Sequence, residues 1–254
     1  MKDLIKKEID KIESNIDSLV NIIGMYEDEF TAYGVRYVTE DNRQFFFADN
    51  NADVLAVAHL DTAMMMPSFR YNKDEAMIHS SFLDDRLGAY VILEHLRKEL
   101  KYDILLTVEE EHRKSTARSF NLGKKYNWMF SFDNDGTAVE MYQYESPVLV
   151  MEMKKYGFIT GGAGYSDICE LEHLGCKGFN FGVGYHDGHH RDGYAKLSET
   201  AENIIKFRNF YNANAGRHFR HKASRRLKTN SGAAAGGRLH TRRSAGAARN
   251  PSAA

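Results

Sequence analysis

The sequence predicts an α/β protein, a three-layer αβα sandwich with a mainly parallel, mixed central sheet. Three observations carry that expectation. Short apolar runs alternate with stretches of helical period along the chain, the pattern that builds layered α/β domains. Four of those runs stop at an ionisable residue of metal-binding type, and ligands in an open α/β sheet collect beyond the carboxyl ends of its strands. The 254 residues, 43% apolar and 27% charged, have the make-up of a soluble globular protein with a sizeable core.

Taken in order, Leu4, Ile5, Ile9, Ile12, Ile16, Leu19 and Ile23 keep a 3.6-residue stripe, which predicts one amphipathic helix over roughly residues 2–30. Val35–Thr39 and Gln44–Ala48 flank the turn-like Glu40-Asp41-Asn42 and read as a hairpin. Asp49-Asn50-Asn51 punctuates before the first strand with a metal-type end, Val54–Ala58, which runs into His59. Residues 85–100 read as a helix with Leu87, Val91, Ile92 and Leu96 on one face, and the second such strand follows at 103–108. Strand patterns recur near 128–132, 138–144, 148–153 and 178–183, and helical ones at 167–174 and 196–212.

The net charge of −1 hides an asymmetry. Ten of the 34 basic side chains follow Gly216 and none of the 35 acidic ones does, so the body carries a net −11. Residues 1–215 read as a single domain and 216–254 as a basic, Gly/Ala/Arg-rich disordered tail, its composition poorest from about Ala223. An acidic body argues against nucleic acid on the folded domain and leaves only the tail to meet phosphates. Cys169 and Cys176 have neither the number nor the spacing of a disulfide framework and read as reduced thiols. The chain has no signal-like N-terminus and no run of 18 apolar residues, so no membrane span and a cytoplasmic location are expected.

The strand ends carry the chemistry. In His59-Leu60-Asp61 an imidazole suits zinc and a carboxylate two residues on can hold its other ring N–H, although a structural pair is the commoner meaning of that motif. Asp84-Asp85-Arg86-Leu87-Gly88 precedes a helix, where Asp is also an ordinary N-cap. Glu109-Glu110-Glu111 is harder to explain as a turn: three adjacent carboxylates after a buried strand repel one another unless a cation compensates them. One glutamate could ligate a metal and its neighbour act as general base. Asp133 follows Phe132, with Asp135 as the fallback because Asp135-Gly136 could be a turn. Gly184-Tyr185-His186-Asp187-Gly188-His189-His190 offers three histidines in five residues, of which one suits a shared metal.

The order His-x-Asp, Asp, Glu-Glu, Asp, His resembles the co-catalytic dinuclear zinc exopeptidases, which include leucyl and glutamyl aminopeptidases and carboxypeptidase and deacylase relatives. The matching segments are Ala58–Thr62, Leu83–Gly88, Thr107–Glu111, Phe132-Asp133 and Gly184-Tyr185 with His189, within about residues 50–200. The resemblance implies the zinc-exopeptidase (phosphorylase/hydrolase-like) sandwich and two divalent ions per chain, zinc first, with cobalt or manganese as alternatives. Asp84 would bridge the ions, with His59 and Asp133 completing one site and Glu111 and His189 the other. Glu110 would be the general base acting with a bridging water, Asp61 would orient His59, and the Asp84–Asp85 bond would be cis. Tyr165-Ser166-Asp167 looks like the segment near the substrate pocket. Only 24 residues separate His59 from Asp84, too few for a lid insertion, which implies a minimal catalytic domain.

The expected activity is an aminopeptidase on peptides. The alternatives are an amidohydrolase on N-acyl amino acids and a silent binding member, the last disfavoured because every expected position is filled. A glutamate near the metals would mark an amine-anchoring enzyme and an arginine a carboxylate-binding one. A homo-oligomer is compatible with the resemblance.

Overall fold

The computed structural model describes residues 1–162 and 164–222. The chain begins with two helices, α1 (Lys2–Glu13) and α2 (Ile16–Gly24), and a 3-10 turn at Glu27–Ala32. The single helix expected over residues 2–30 is therefore broken. Its break falls at Ser14-Asn15, where Asn15 leaves helical geometry and the Ser14 hydroxyl donates to the Lys11 carbonyl at 2.8 Å, as polar side chains that compete for backbone do.

The hairpin β1 (Val35–Val38) and β2 (Gln44–Ala48) follows as expected, with Val35 opposite Phe47. Then come β3 (Val54–His59), β4 (Arg70–Asn72), β5 (Met77–His79), α3 (Leu83–Tyr90) continuing into a π turn at Val91–Leu96, β6 (Asp103–Thr107), β7 (Trp128–Asn134) and β8 (Val139–Glu140). The C-terminal part adds α4 (Pro147–Lys155), α5 (Asp167–Glu170), β9 (Lys177–Gly182), β10 (Tyr185–His186), β11 (Tyr194–Lys196) and α6 (Leu197–Asn214).

Seven strands form the central sheet in the order β1-β2-β6-β3-β7-β9-β8. The inner four, β6, β3, β7 and β9, are parallel, and the edges are antiparallel. Every residue of β3 and β6 is buried, as both faces of a covered parallel sheet require. The alternation of β3 divides the core. Val54, Ala56 and Ala58 join α1, α2, α3 and α6 through Ile12, Leu19, Leu87 and Phe207, whereas Leu55 and Val57 join Phe120, Tyr144 and Ile168 on the other face. The expected three-layer sandwich is what these two cores build. A smaller antiparallel sheet, β10-β11-β5-β4, flanks it.

The strand expected at 148–153 is the helix α4. Ser146-Pro147 opens it, Leu149, Glu152 and Met153 face inward at helical spacing, and Val148 and Met151 lie on the exposed side. The pattern at 138–144 narrows to the two-residue β8 and a 3-10 turn, and that at 167–174 to two short helical turns. Past Ala215 the chain keeps packing: Phe219 is buried and Arg220 bridges Cys176, so the described body reaches Lys222. The part of the expected tail from residue 223 lies outside the described residues. Cys169 and Cys176 are both free thiols.

Candidate metal centre

His59 is the last residue of β3, Glu110 and Glu111 follow β6, Asp133 lies near the end of β7, and His189 follows β9 and β10. The parallel order of those strands thus carries residues far apart in sequence to one sheet edge. Asp84 and Asp85 supply the remaining side, where the chain enters α3 with non-helical backbone and a cis peptide bond between them.

The ring of His59 is almost wholly buried. Its Nδ1 lies 2.9 Å from the Asp61 carbonyl oxygen, which can only accept, so Nδ1 carries the proton and Nε2 faces the cluster. Nε2 stands 3.1 Å from Asp84 Oδ1, 3.3 Å from Asp133 Oδ1 and 3.9 Å from Glu110 Oε2. The second imidazole approaches from the other side: His189 Nε2 lies 3.0 Å from Asp84 Oδ2 and 3.1 Å from Glu111 Oε2. Asp84 therefore turns one oxygen to each histidine.

Asp61 does more than accept from His59. Its carboxylate is 3.6 Å from the ring nitrogen but takes the backbone N–H groups of Glu110 (3.2 Å) and Glu111 (3.1 Å), fixing the acidic turn. Glu111 accepts from the Ala63 amide at 3.0 Å. Asn180 receives the Asp133 amide at 2.9 Å, and the Tyr185 hydroxyl donates to the Asp133 carbonyl at 3.1 Å. Glu109 does not line the cavity beside the cluster. His186 pairs instead with Glu199 (2.7 Å) and Asp135 (3.5 Å), and His190 lies exposed on the cavity wall. His189, among the three candidate histidines, is the one that meets the cluster.

Two buried carboxylates that the sequence reading named without giving them a role complete the surroundings. Asp85 is wholly buried, and neither of its oxygens has a hydrogen-bond partner. It fits only because residue 88 is glycine, where a Cβ would stand 2.0 Å from Asp85 Oδ1 and 2.7 Å from the Phe132 carbonyl. Asp167 is held by the hydroxyls of Thr107 and Ser115. The doubled Asp84-Asp85 was a visible signal for the first; nothing in the sequence linked Asp167 to Ser115.

Charge is badly balanced here. Burial, then Asp133, Asp167 and Asp84, push Glu110 up to about 9, against an opposing effect of His59. Burial likewise raises Asp133 to about 7 and Glu111 above its ordinary range, in each case with Asp84 adding to the rise. Burial acts to lower the His59 pKa, yet hydrogen bonds to Asp133, Asp61 and Asp84 outweigh it and raise it. His189, hydrogen-bonded to Asp84, rises to about 9. Ligand-capable atoms of His59, Asp84 and Glu111 lie within 4.8 Å of one another, as do those of His59, Asp85 and Asp133. Imidazole nitrogens and carboxylate oxygens that converge this closely, with two buried oxygens unpartnered, suit divalent cations. The cluster opens into a cavity of about 710 Å³.

Comparison with known structures bears on the fold. The chain is similar to aminopeptidase PepT from Bacillus cereus ATCC 10987 (TM-score 0.50, 12% identity, covering 80% of this chain and 96% of that one). It is similar to a tripeptidase from Staphylococcus aureus subsp. aureus mu50 (0.51, 12%, 80% and 96%) and to a TET aminopeptidase from the marine sediment archaeon Thaumarchaeota archaeon SCGC AB-539-E09 (0.51, 12%, 76% and 95%). The fold is that of these peptidases. No protein-family model and no curated protein sequence matches the chain.

Proposed function

We propose that the chain is a dinuclear metal-dependent exopeptidase, acting as an aminopeptidase. The observation that carries this reading is Asp84, whose two carboxylate oxygens meet two different imidazoles at 3.1 and 3.0 Å. That is the disposition of a carboxylate shared by two cations. His59 and Asp133 would hold one ion with it, and Glu111 and His189 the other. Divalent ions held there, zinc first and cobalt or manganese as alternatives, would polarise a scissile carbonyl and acidify a water. Glu110 flanks the cluster without being needed as a ligand, and its Oε2 would take the proton of the attacking water and return it to the leaving amine. Asp61 would hold His59 through its carbonyl and the Glu110-Glu111 turn through its carboxylate.

Arg113 supports a second reading. It lines the cavity, and no carboxylate pairs with its guanidinium among the described residues, so an N-acyl amino acid could anchor its carboxylate there. Arg113 is exposed, however, and the cavity is lined mainly by carboxylates, Asp135 and Asp187 among them, which favours a substrate with a free amine over one with a free carboxylate.

The test is elemental analysis of the zinc-loaded chain together with turnover of aminoacyl amides and N-acetyl amino acids. About two zinc ions per chain and release of amines from aminoacyl amides are expected. Asp84→Ala should lose both ions. Cleavage of only the N-acetyl compounds would establish the second reading, and zero or one ion would refute the shared centre.

A further inference from the structure

Glu140 is a cavity residue that the proposed chemistry leaves unused. It lies on the edge strand β8, directly opposite Asn180 of β9. Side chains opposite each other in an antiparallel pair share a face, with Cβ atoms about 4.5–5.5 Å apart. Asn180 in turn donates from its amide to the Asp133 carboxylate at 3.4 Å and to the Tyr142 hydroxyl at 2.8 Å. Glu140 therefore stands one side chain beyond the inner carboxylate of the cluster, across the cavity floor.

Its own bonding is incomplete. Oε1 accepts the Gly164 amide at 3.4 Å, while Oε2 is buried and without a partner among the described residues. Gly162 passes so close that a Cβ there would lie 2.2 Å from Oε2, so a side chain at residue 162 would displace this carboxylate from its present position. Burial raises the Glu140 pKa, with Glu145 adding to the rise against the Gly164 hydrogen bond. Among the described residues no ion pair reaches it, and Arg113 on the cavity wall lies over the Tyr165 ring instead, 6.0 Å from its centroid.

We propose that Glu140 is a specificity residue that accepts the cationic side chain of a lysine or arginine at the substrate's N-terminus. The proposal rests on the aminopeptidase reading, in which the first residue's carbonyl lies at the Asp84 cluster. A lysine or arginine side chain carries its charge several bonds beyond its Cα, so with the first carbonyl at the cluster its head group would extend along the same cavity, whose lining includes Asp84, Asp133 and Glu140. A neutral side chain would leave the half-buried Glu140 carboxylate on the cavity wall without a cation, whereas an ammonium or guanidinium there would supply a charge-assisted partner.

Lysine and norleucine p-nitroanilides have side chains of similar length and differ in charge, so their kcat/KM ratio on the zinc-loaded chain isolates the effect. The expected ratio favours lysine by about tenfold or more. Glu140→Gln should bring it to within about twofold of unity, and Glu140→Lys should invert it and admit a glutamate substrate. A wild-type ratio near one, or a ratio that Glu140→Gln leaves unchanged, overturns the proposal. Loss of both substrates in proportion would mean that Glu140 anchors the α-amine or only supports the fold. If neither substrate turns over, the aminopeptidase reading fails separately. Calorimetric titration of lysinamide and norleucinamide into the metal-free chain then decides on Glu140, and equal affinities would refute its role.

Discussion

Two buried charge clusters in this molecule follow opposite rules. Between α1 and α6, Glu8 is 8% exposed, receives two hydrogen bonds from Arg208 at 2.8 and 2.7 Å and is paired with His95; Arg208 also meets Glu99 at 2.7 Å. Burial opposes the charge on Glu8, yet His95 and Arg208 outweigh it and lower its pKa to about 2. At the end of β3, β6 and β7 burial acts in the same sense, and there it wins: Glu110 stands at about 9 and Asp133 at about 7. The difference lies in partners. The first cluster carries its own cations and is structure; the second gathers carboxylates around two histidines and lacks the positive charge that would balance them. A surplus of buried charge of one sign costs stability and is kept where something else binds.

The contrast can be broken from either side. On the proposed reading Glu110→Gln carries the largest expected effect: turnover should fall by about 10²–10⁴ with metal content unchanged, because Glu110 is not among the proposed ligands and its Oε2 lies 3.9 Å from His59 Nε2. Metal content measured beside kcat decides this, and loss of an ion would make Glu110 a ligand. Glu8→Gln acts on the balanced cluster and should leave metal binding intact. It removes an ionised group whose pKa drops from 4.5 to about 2 on folding, a stabilisation on the order of 3 kcal/mol. A lowered folded-state pKa means that this stability is complete above pH 4.5 and drains away as pH falls towards 2. Urea melts should therefore show the variant weaker by about that amount at pH 7, with the gap closing from pH 4.5 downward and gone near pH 2. A constant gap across that range would show that the ion pair is not its source.

The legible parts of the sequence were those set by strand ends and local period. The hairpin at β1 and β2, the four parallel strands and the long α6 followed from apolar runs and turn residues, and the order of the site residues followed from where those runs stop. His59, Asp84, Glu110, Glu111, Asp133 and His189 converge in space. Less was visible where tertiary context decides. Val148-Leu149-Val150-Met151 has strand-like composition, but Pro147 and inward-facing Leu149 and Met153 make it helix. Ser14-Asn15 broke a stripe whose apolar period alone looked continuous. Glu140 gave no sequence signal, because its place beside Asn180 is set by an edge-strand pairing of two residues.

The smallest expected effect concerns salt, and it separates the two clusters in one molecule. Like charges crowded at the cavity repel, and the first 216 residues carry a net −11. Screening should therefore stabilise the metal-free protein, by about 0.5 kcal/mol or roughly 1–2 °C in Tm between low and physiological ionic strength. The Glu8–Arg208 pair works against that trend, since screening weakens attraction, but a buried and tightly bonded pair is screened little. Zinc bound as proposed would add positive charge at the repulsive cluster, so a zinc-saturated sample should lose part of the salt response while the overall Tm rises. Thermal melts at two salt concentrations with and without zinc measure this directly. If the metal-free Tm instead falls with salt, attractive pairs dominate the whole molecule, and the acidic edge is not the unbalanced site that its geometry describes.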